Sequence, residues 1–289
     1  MSKIHEALKR AAGDPEVKSA GRDGQATDTP TPAGEMSAAS GAQRLSGKGD
    51  LPPLPFEKLR AYRLEADRGL VTEHEPKSLA AEQFRTLRTR ILRMAQDNPH
   101  KLLLVTSPAP GDGKTLVSSN LAMSLARRVD ARVLLVDCDL RRPSVHRFFG
   151  MTGDDQSGLH EYLTGQVPLE KVIWRYGGTS LHVLTAGPVP DNPSELLGSR
   201  RMERTVRYLA SQFDCVVFDA PPLNPVADPA ILIPMADGVL TVVRYGRTGR
   251  AGLDKALEAI PEEKFLGLVF NAAEMKFSGY YYSYDYGTD

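Results

Sequence analysis

From residue 102 to residue 271 the chain alternates short, almost uninterrupted apolar runs with stretches whose apolar residues recur at helical spacing. The runs 102–106, 132–136, 181–185, 215–218, 238–243 and 266–271 predict strands. Runs apolar at every position, not at alternate ones, belong to a sheet covered on both faces. Between them the pattern predicts a helix opening at Lys114 or Thr115, a short one over 158–163, and a longer one opened by Asn192-Pro193-Ser194-Glu195. Another follows Asp219, and a last one covers 253–260. Ahead of the first strand, Ser78 is a candidate N-cap for a helix through Gln96 whose apolar stripe is Phe84, Leu87, Ile91 and Met94. Strands alternating with helices predict an α/β, three-layer fold: a mostly parallel sheet with helices on both faces.

The rest of the chain has a different texture. Residues 1–12 place Ile4, Ala7, Leu8 and Ala11 on one face of a short amphipathic helix, which is marginal alone in water. It is either a docking hook for a partner or an extension with no role. Residues 13–76, rich in Gly, Pro, Ser, Thr and Ala, predict a flexible linker. The folded domain is expected over 77–275, followed by a flexible tail over 276–289. That tail holds Tyr280, Tyr281, Tyr282, Tyr284 and Tyr286, half of the ten tyrosines in the chain.

The chemistry concentrates at the ends of the predicted strands. The stretch VTSPAPGDGKT after the first strand has the makings of a phosphate cradle: Gly111 and Gly113 free the backbone N–H groups to turn toward an anion at a helix N-terminus. Pro110, Gly111, Asp112, Gly113, Lys114, Thr115 and Leu116 are the candidate nucleotide-binding residues, with the Lys114 ammonium for phosphate oxygens and the Thr115 hydroxyl for Mg²⁺. A Gly is usual where Pro108 stands. Asp137 and Asp139 close the second strand, and Asp219 closes the one ending VVFDAPP. At the carboxyl edge of a parallel sheet such carboxylates face the nucleotide crevice, which makes Asp139 and Asp219 candidate Mg²⁺ ligands beside Thr115. A phenol has a pKa near ~10, so transfer to tyrosine requires a base near the γ-phosphate. Asp137 and Asp139 both qualify. Glu82, Arg85 and Arg88 spell E-x-x-R-x-x-R, either an exposed ion-pair ladder or a contact surface.

Composition narrows the setting. Thirty-six basic side chains balance thirty-six acidic ones, so no field of one sign points to nucleic acid. Cys138 and Cys215 lie inside apolar runs and read as reduced core residues. No apolar run approaches the ~20 residues of a membrane span, and no signal-peptide core opens the chain. A cytoplasmic protein is expected.

From Lys77 onward the chain resembles the bacterial tyrosine kinases of capsule and exopolysaccharide assembly. VTSPAPGDGKT is similar to their Walker A motif, in which the first Gly is commonly absent. VLLVDCDLRRP is similar to their Walker A′ and VVFDAPP to their Walker B; NPSELL, E-x-x-R-x-x-R and the terminal tyrosines also match. The resemblance implies ATP and Mg²⁺ as cofactors and autophosphorylation of the tail tyrosines, chiefly between neighbouring subunits. It assigns Lys114 to phosphate, Asp137 or Asp139 to the phenolic proton, and Asn271 to adenine. It places Glu82, Arg85 and Arg88 at the interface of a ring-shaped homo-oligomer. It further implies a separate transmembrane polysaccharide co-polymerase as activator, recruitment to the inner face of the membrane through it, and a phosphotyrosine phosphatase as antagonist. Two other readings compete. One is an ATPase switch of the partition and division-site kind, whose extra lysine is replaced here by Ala109. The other is a nucleotide-dependent scaffold without chemistry.

Overall fold

The computed structural model describes residues 52–62, 66–97, 100–129, 131–151 and 157–273. The expected helix over 1–12, most of the expected linker and all five tail tyrosines lie outside them. Eight strands form one sheet: β1 (Arg60–Tyr62), β2 (Leu102–Thr106), β3 (Val133–Asp137), β4 (Ile173–Tyr176), β5 (Leu181–Leu184), β6 (Cys215–Asp219), β7 (Gly238–Arg244) and β8 (Phe265–Asn271). Their spatial order is β1-β4-β5-β3-β6-β2-β7-β8. Every neighbouring pair runs parallel except β4 with β5.

The helices are α1 (Val71–His74), α2 (Leu79–Asp97), α3 (Lys114–Ala126), α4 (Val145–Phe148), α5 (Leu159–Leu163), α6 (Leu169–Val172), α7 (Pro193–Leu197), α8 (Arg200–Gln212), α9 (Asp228–Leu232) and α10 (Arg250–Glu258). Alternation along the central strands divides the interior in two. Leu102, Leu104, Leu134, Val136, Val216 and Phe218 join one buried cluster with α8 and α9. Leu103, Val105, Val133, Leu135, Cys215 and Val217 join a second with α3. The three layers follow directly.

The domain begins earlier than Lys77. Arg60–Tyr62 extends the sheet beside β4, Leu54, Leu59 and Leu70 are buried, and α1 packs on α3. Buried Asn120 of α3 fastens this lead-in: its Oδ1 accepts from the N–H and hydroxyl of Thr72, each at 3.0 Å, and its Nδ2 donates to Gly69 O at 2.8 Å. The linker composition over 13–76 averages away the cluster of Leu54, Phe56, Leu59, Tyr62, Leu70 and Val71 at its end.

Ser78 caps α2, its Oγ accepting from Ala81 N at 3.2 Å. Ile91 is buried on that helix, and Phe84 and Leu87 pack against the second cluster, but Met94 is exposed. The expected long helix after Asn192 is two helices, because Gly198 ends α7 and the Ser199 side chain caps α8.

Candidate nucleotide and phosphoryl-transfer site

β2 delivers the chain to the interior of the sheet, flanked by β6 and β7, and the loop 107–113 leaves its carboxyl end. Gly111 (φ 84°) and Gly113 (φ 96°) both take left-handed backbone, which L side chains rarely adopt. Their conformation turns the loop back on itself before α3 starts. The first N–H groups of α3 have no partner within the helix, so an anion there meets free amides and the positive end of the helix.

The loop is braced from two other strands. Asp112 is buried; its Oδ2 accepts from Ala109 N at 3.0 Å and its Oδ1 from the Thr248 hydroxyl at 2.9 Å. Arg244 Nη1 donates to Gly111 O at 3.1 Å, and Asn271 Nδ2 donates to Asp112 O at 2.9 Å. Asn271, expected at adenine, thus stands against the phosphate loop itself. Pro110 and Gly111 are exposed, while the Leu116 side chain packs against the second core cluster. Leu116 therefore has only its backbone to offer an anion.

Lys114 lies under this cradle with the acidic residues gathered about it. Its Nζ is 2.8 Å from Asp139 Oδ2 and 3.6 Å from Asp219 Oδ2. Asp137 sits beside Asp219 in the β3–β6 register. Burial alone lowers the Lys114 pKa, but Asp219 and Asp139 more than offset it, so the ammonium is held charged. The Thr115 hydroxyl donates to Asp219 Oδ2 at 2.6 Å and lies 2.8 Å from Ser144 Oγ.

The two carboxylates of the Asp-Cys-Asp turn have different partners. Asp139 Oδ1 accepts from Arg142 N at 3.0 Å, which leaves Oδ2 for Lys114. Asp137 Oδ1 accepts from Asp139 N at 3.1 Å, and its Oδ2 from Ser144 N and Val145 N, each at 3.0 Å. Burial and then the Asp219 charge push the Asp137 carboxyl up to about 7, against the pull of Lys114 and the amides of Val145 and Ser144. Asp219 is also raised, by burial first, with Lys114 and the Thr115 hydroxyl opposing. Ser144, Arg244 and Thr248 are site residues that the motifs do not point to. Ser144 alone had a signal, as a hydroxyl one residue before a helix.

The donor set fits a small hard cation held together with phosphate. Asp219 Oδ1 is buried without a hydrogen-bond partner, beside a threonine hydroxyl and a second carboxylate. Among the described residues no three His, Cys, Asp or Glu form a metal-binding group. Mg²⁺ usually keeps several waters and needs only one or two carboxylates when phosphates supply the rest.

The remaining predicted residues lie elsewhere. Arg85 Nε donates to Glu82 on the same helix at 2.6 Å, and Arg88 Nη1 donates to Ser124 O at 2.8 Å. Cys138 and Cys215 are free and buried. No helix among the described residues is long and apolar enough to cross a membrane.

A mostly parallel sheet with a phosphate loop after β2 and carboxylates at the ends of the adjoining β6 and of β3 next to it defines a P-loop nucleotide-binding protein. The AAA domain family matches residues 101–265. The tyrosine-protein kinase YwqD of Bacillus subtilis (strain 168) is 37% identical over 238 residues, which are 81% of this chain and 97% of that protein. The tyrosine-protein kinase etk of Escherichia coli (strain K12) is 39% identical over 171 residues, 59% of this chain but 23% of that much longer relative. The solved kinase domain of E. coli tyrosine kinase ETK superposes with a TM-score of 0.66 at 32% identity, covering 80% of this chain and 90% of that domain. The chain belongs to the bacterial tyrosine-protein kinase family.

Proposed function

We propose that this chain transfers the γ-phosphoryl group of ATP to tyrosine, chiefly to Tyr280, Tyr281, Tyr282, Tyr284 and Tyr286 of a neighbouring copy. The observation that carries the reading is the gathering of Asp139 and Asp219 on Lys114 beneath a glycine-rich anion cradle. The loop amides and Lys114 bind and orient the triphosphate. To do so the lysine exchanges part of its pairing with Asp139 and Asp219 for phosphate oxygens, a neighbour swap that leaves its charge in place. Mg²⁺, when bound with ATP near Thr115, Asp219 and Asp139, supplies neutralisation of charge on the transferring group.

Asp137 or Asp139 takes the phenolic proton. Asp139 Oδ2 faces Lys114 at 2.8 Å, a partner that phosphate oxygens can claim, while Asp137 is fully buried with its two oxygens accepting from three backbone amides. Asn271 and Arg244 hold the loop in its binding shape through Asp112 O and Gly111 O.

Around this chemistry we place the family's assembly: a ring-like homo-oligomer with Glu82, Arg85 and Arg88 near its interfaces, and a separate transmembrane partner that activates the kinase and governs polysaccharide polymerisation or export. A phosphatase resets the tail. Each phosphotyrosine adds about −1.5 to −2 charges, so a modified tail is repelled from the acidic site and the ring loosens. Light scattering before and after phosphatase treatment checks this, and equal masses would reject it.

The kinase test is direct. The full chain, with its activating partner present, is incubated with labelled ATP and Mg²⁺ beside a Lys114→Met variant, and phosphate is mapped by mass spectrometry. Label on the tail tyrosines, absent from the variant, is expected. Release of free phosphate alone would favour an ATPase switch, and neither product would favour a scaffold.

A further inference from the structure

Three segments outside the phosphate cradle meet on one buried carboxylate. Asp228, the first residue of α9, has a fully buried side chain. Its Oδ2 accepts from Arg141 Nε at 2.7 Å, and its Oδ1 accepts from Arg141 Nη2 at 3.1 Å and from the Ser194 hydroxyl at 2.6 Å. Arg141 Nη2 also reaches Ser194 Oγ at 2.9 Å. The turn after β3, the start of α7 and the helix after β6 are thereby tied at one point.

Asp228 is buried but the Arg141 side chain is 40% exposed, and such an ion pair is an inefficient source of stability compared with apolar packing. What two parallel N–H···O bonds do supply is a fixed plane and direction for the guanidinium. Arg141 stands two residues after Asp139, and the next residue, Arg142, donates its N–H to Asp139 Oδ1. Fixing Arg141 therefore fixes the amide that orients the Asp139 carboxylate, whose other oxygen faces Lys114 at 2.8 Å. The turn has other anchors, in the buried Leu140 and in the Asp137 carboxylate that takes the amides of Ser144 and Val145, but the latch on Arg141 is the one that ties it to α7 and α9.

We propose that Arg141, clamped by Asp228 and Ser194, is a positioning residue: it sets the turn 140–143 and so aims Asp139 at Lys114. The inference rests on reading Asp139 as part of the phosphoryl-transfer site, and one of its readouts is independent of turnover. Asp228→Asn, Ser194→Ala, Arg141→Lys and the Arg141→Lys/Asp228→Asn pair are made in the full chain. They are compared by amide hydrogen exchange of residues 139–145, by kcat and KM for ATP, and by Tm.

The expected result is faster exchange confined to 139–145, with kcat lowered ~10–100-fold, the range for outer partners that orient active-site groups. KM should change little, Tm should fall because bonds to a buried carboxylate are lost, and the double variant should be no worse than Asp228→Asn alone. Unchanged exchange, unchanged kcat, or multiplied effects in the double variant would overturn the latch. If Asp228→Asn does not fold, Ser194→Ala removes one bond without stranding a charge and must give a smaller effect in the same direction. Faster exchange in the variants of a chain whose wild type transfers no phosphate would keep the latch and reject the catalytic reading.

Discussion

Gly113 is a position in the phosphate loop where backbone conformation and packing both disfavour a side chain. Its φ of 96° lies where an L residue is strained, at a cost of about 1–2 kcal/mol for alanine. A Cβ there would stand 1.9 Å from Asn271 Nδ2. Asn271 can swing away, so the collision costs no more than the bond its amide gives up to Asp112 O, about 1 kcal/mol. Gly113→Ala should therefore destabilise the chain by about 2–3 kcal/mol. Asn271→Ala alone should cost about 1 kcal/mol. In the double variant the collision is gone and the lost bond is counted only once, so its cost should match Gly113→Ala alone and fall short of the sum by about 1 kcal/mol. Urea unfolding of the four proteins measures this. Independent sites add to within ~0.3–0.5 kcal/mol, so additivity of the two substitutions would refute the packing argument and leave backbone strain alone.

Other predictions follow from the same geometry. Asp137, raised in the folded state, binds its proton more tightly there than in the unfolded chain. Its contribution is therefore a stability that is fully present only at low pH and lost as pH rises through about 7. Asp137→Asn should flatten the stability–pH curve over that window, and an unchanged curve would place the titration elsewhere. Asn120→Ala strands the Thr72 and Gly69 backbone groups and should cost about 1–3 kcal/mol. It should also expose residues 66–76 to limited proteolysis, and unchanged cleavage would mean the lead-in is held by other contacts. Asp219→Asn can keep the Thr115 contact but loses the charge, so nucleotide binding should lose its dependence on Mg²⁺. An undiminished Mg²⁺ effect would remove Asp219 from the cation site.

The central strands were legible because each is apolar on both faces, and the edge strand β8 was legible from its own apolar run, but β1 and β4 at the opposite end of the sheet were not. β4 interrupts its apolar residues with a half-buried Trp174 and an exposed Arg175, and β1 is three residues, Arg-Ala-Tyr, inside a stretch of linker composition. Neither resembles a buried run. The acidic residues were legible from their places at strand ends. The different surroundings of Asp137 and Asp139 were not, since they depend on which carboxylate takes the amides of Ser144 and Val145. Thr248 reaches Asp112 across 136 residues of chain, and no local pattern announces such a contact. The exposed Met94 shows the limit of periodicity: a helical stripe says which residues share a face, not how far along the helix its neighbour extends.

The brace from Asn271 to the phosphate loop joins the last strand to the second. Synthesis from the amino end makes the loop, the lysine and all three carboxylates long before residue 271 is available. A ribosome-bound fragment therefore lacks the final wedge that shapes its anion cradle. The loop receives this brace only once β8 has joined the sheet.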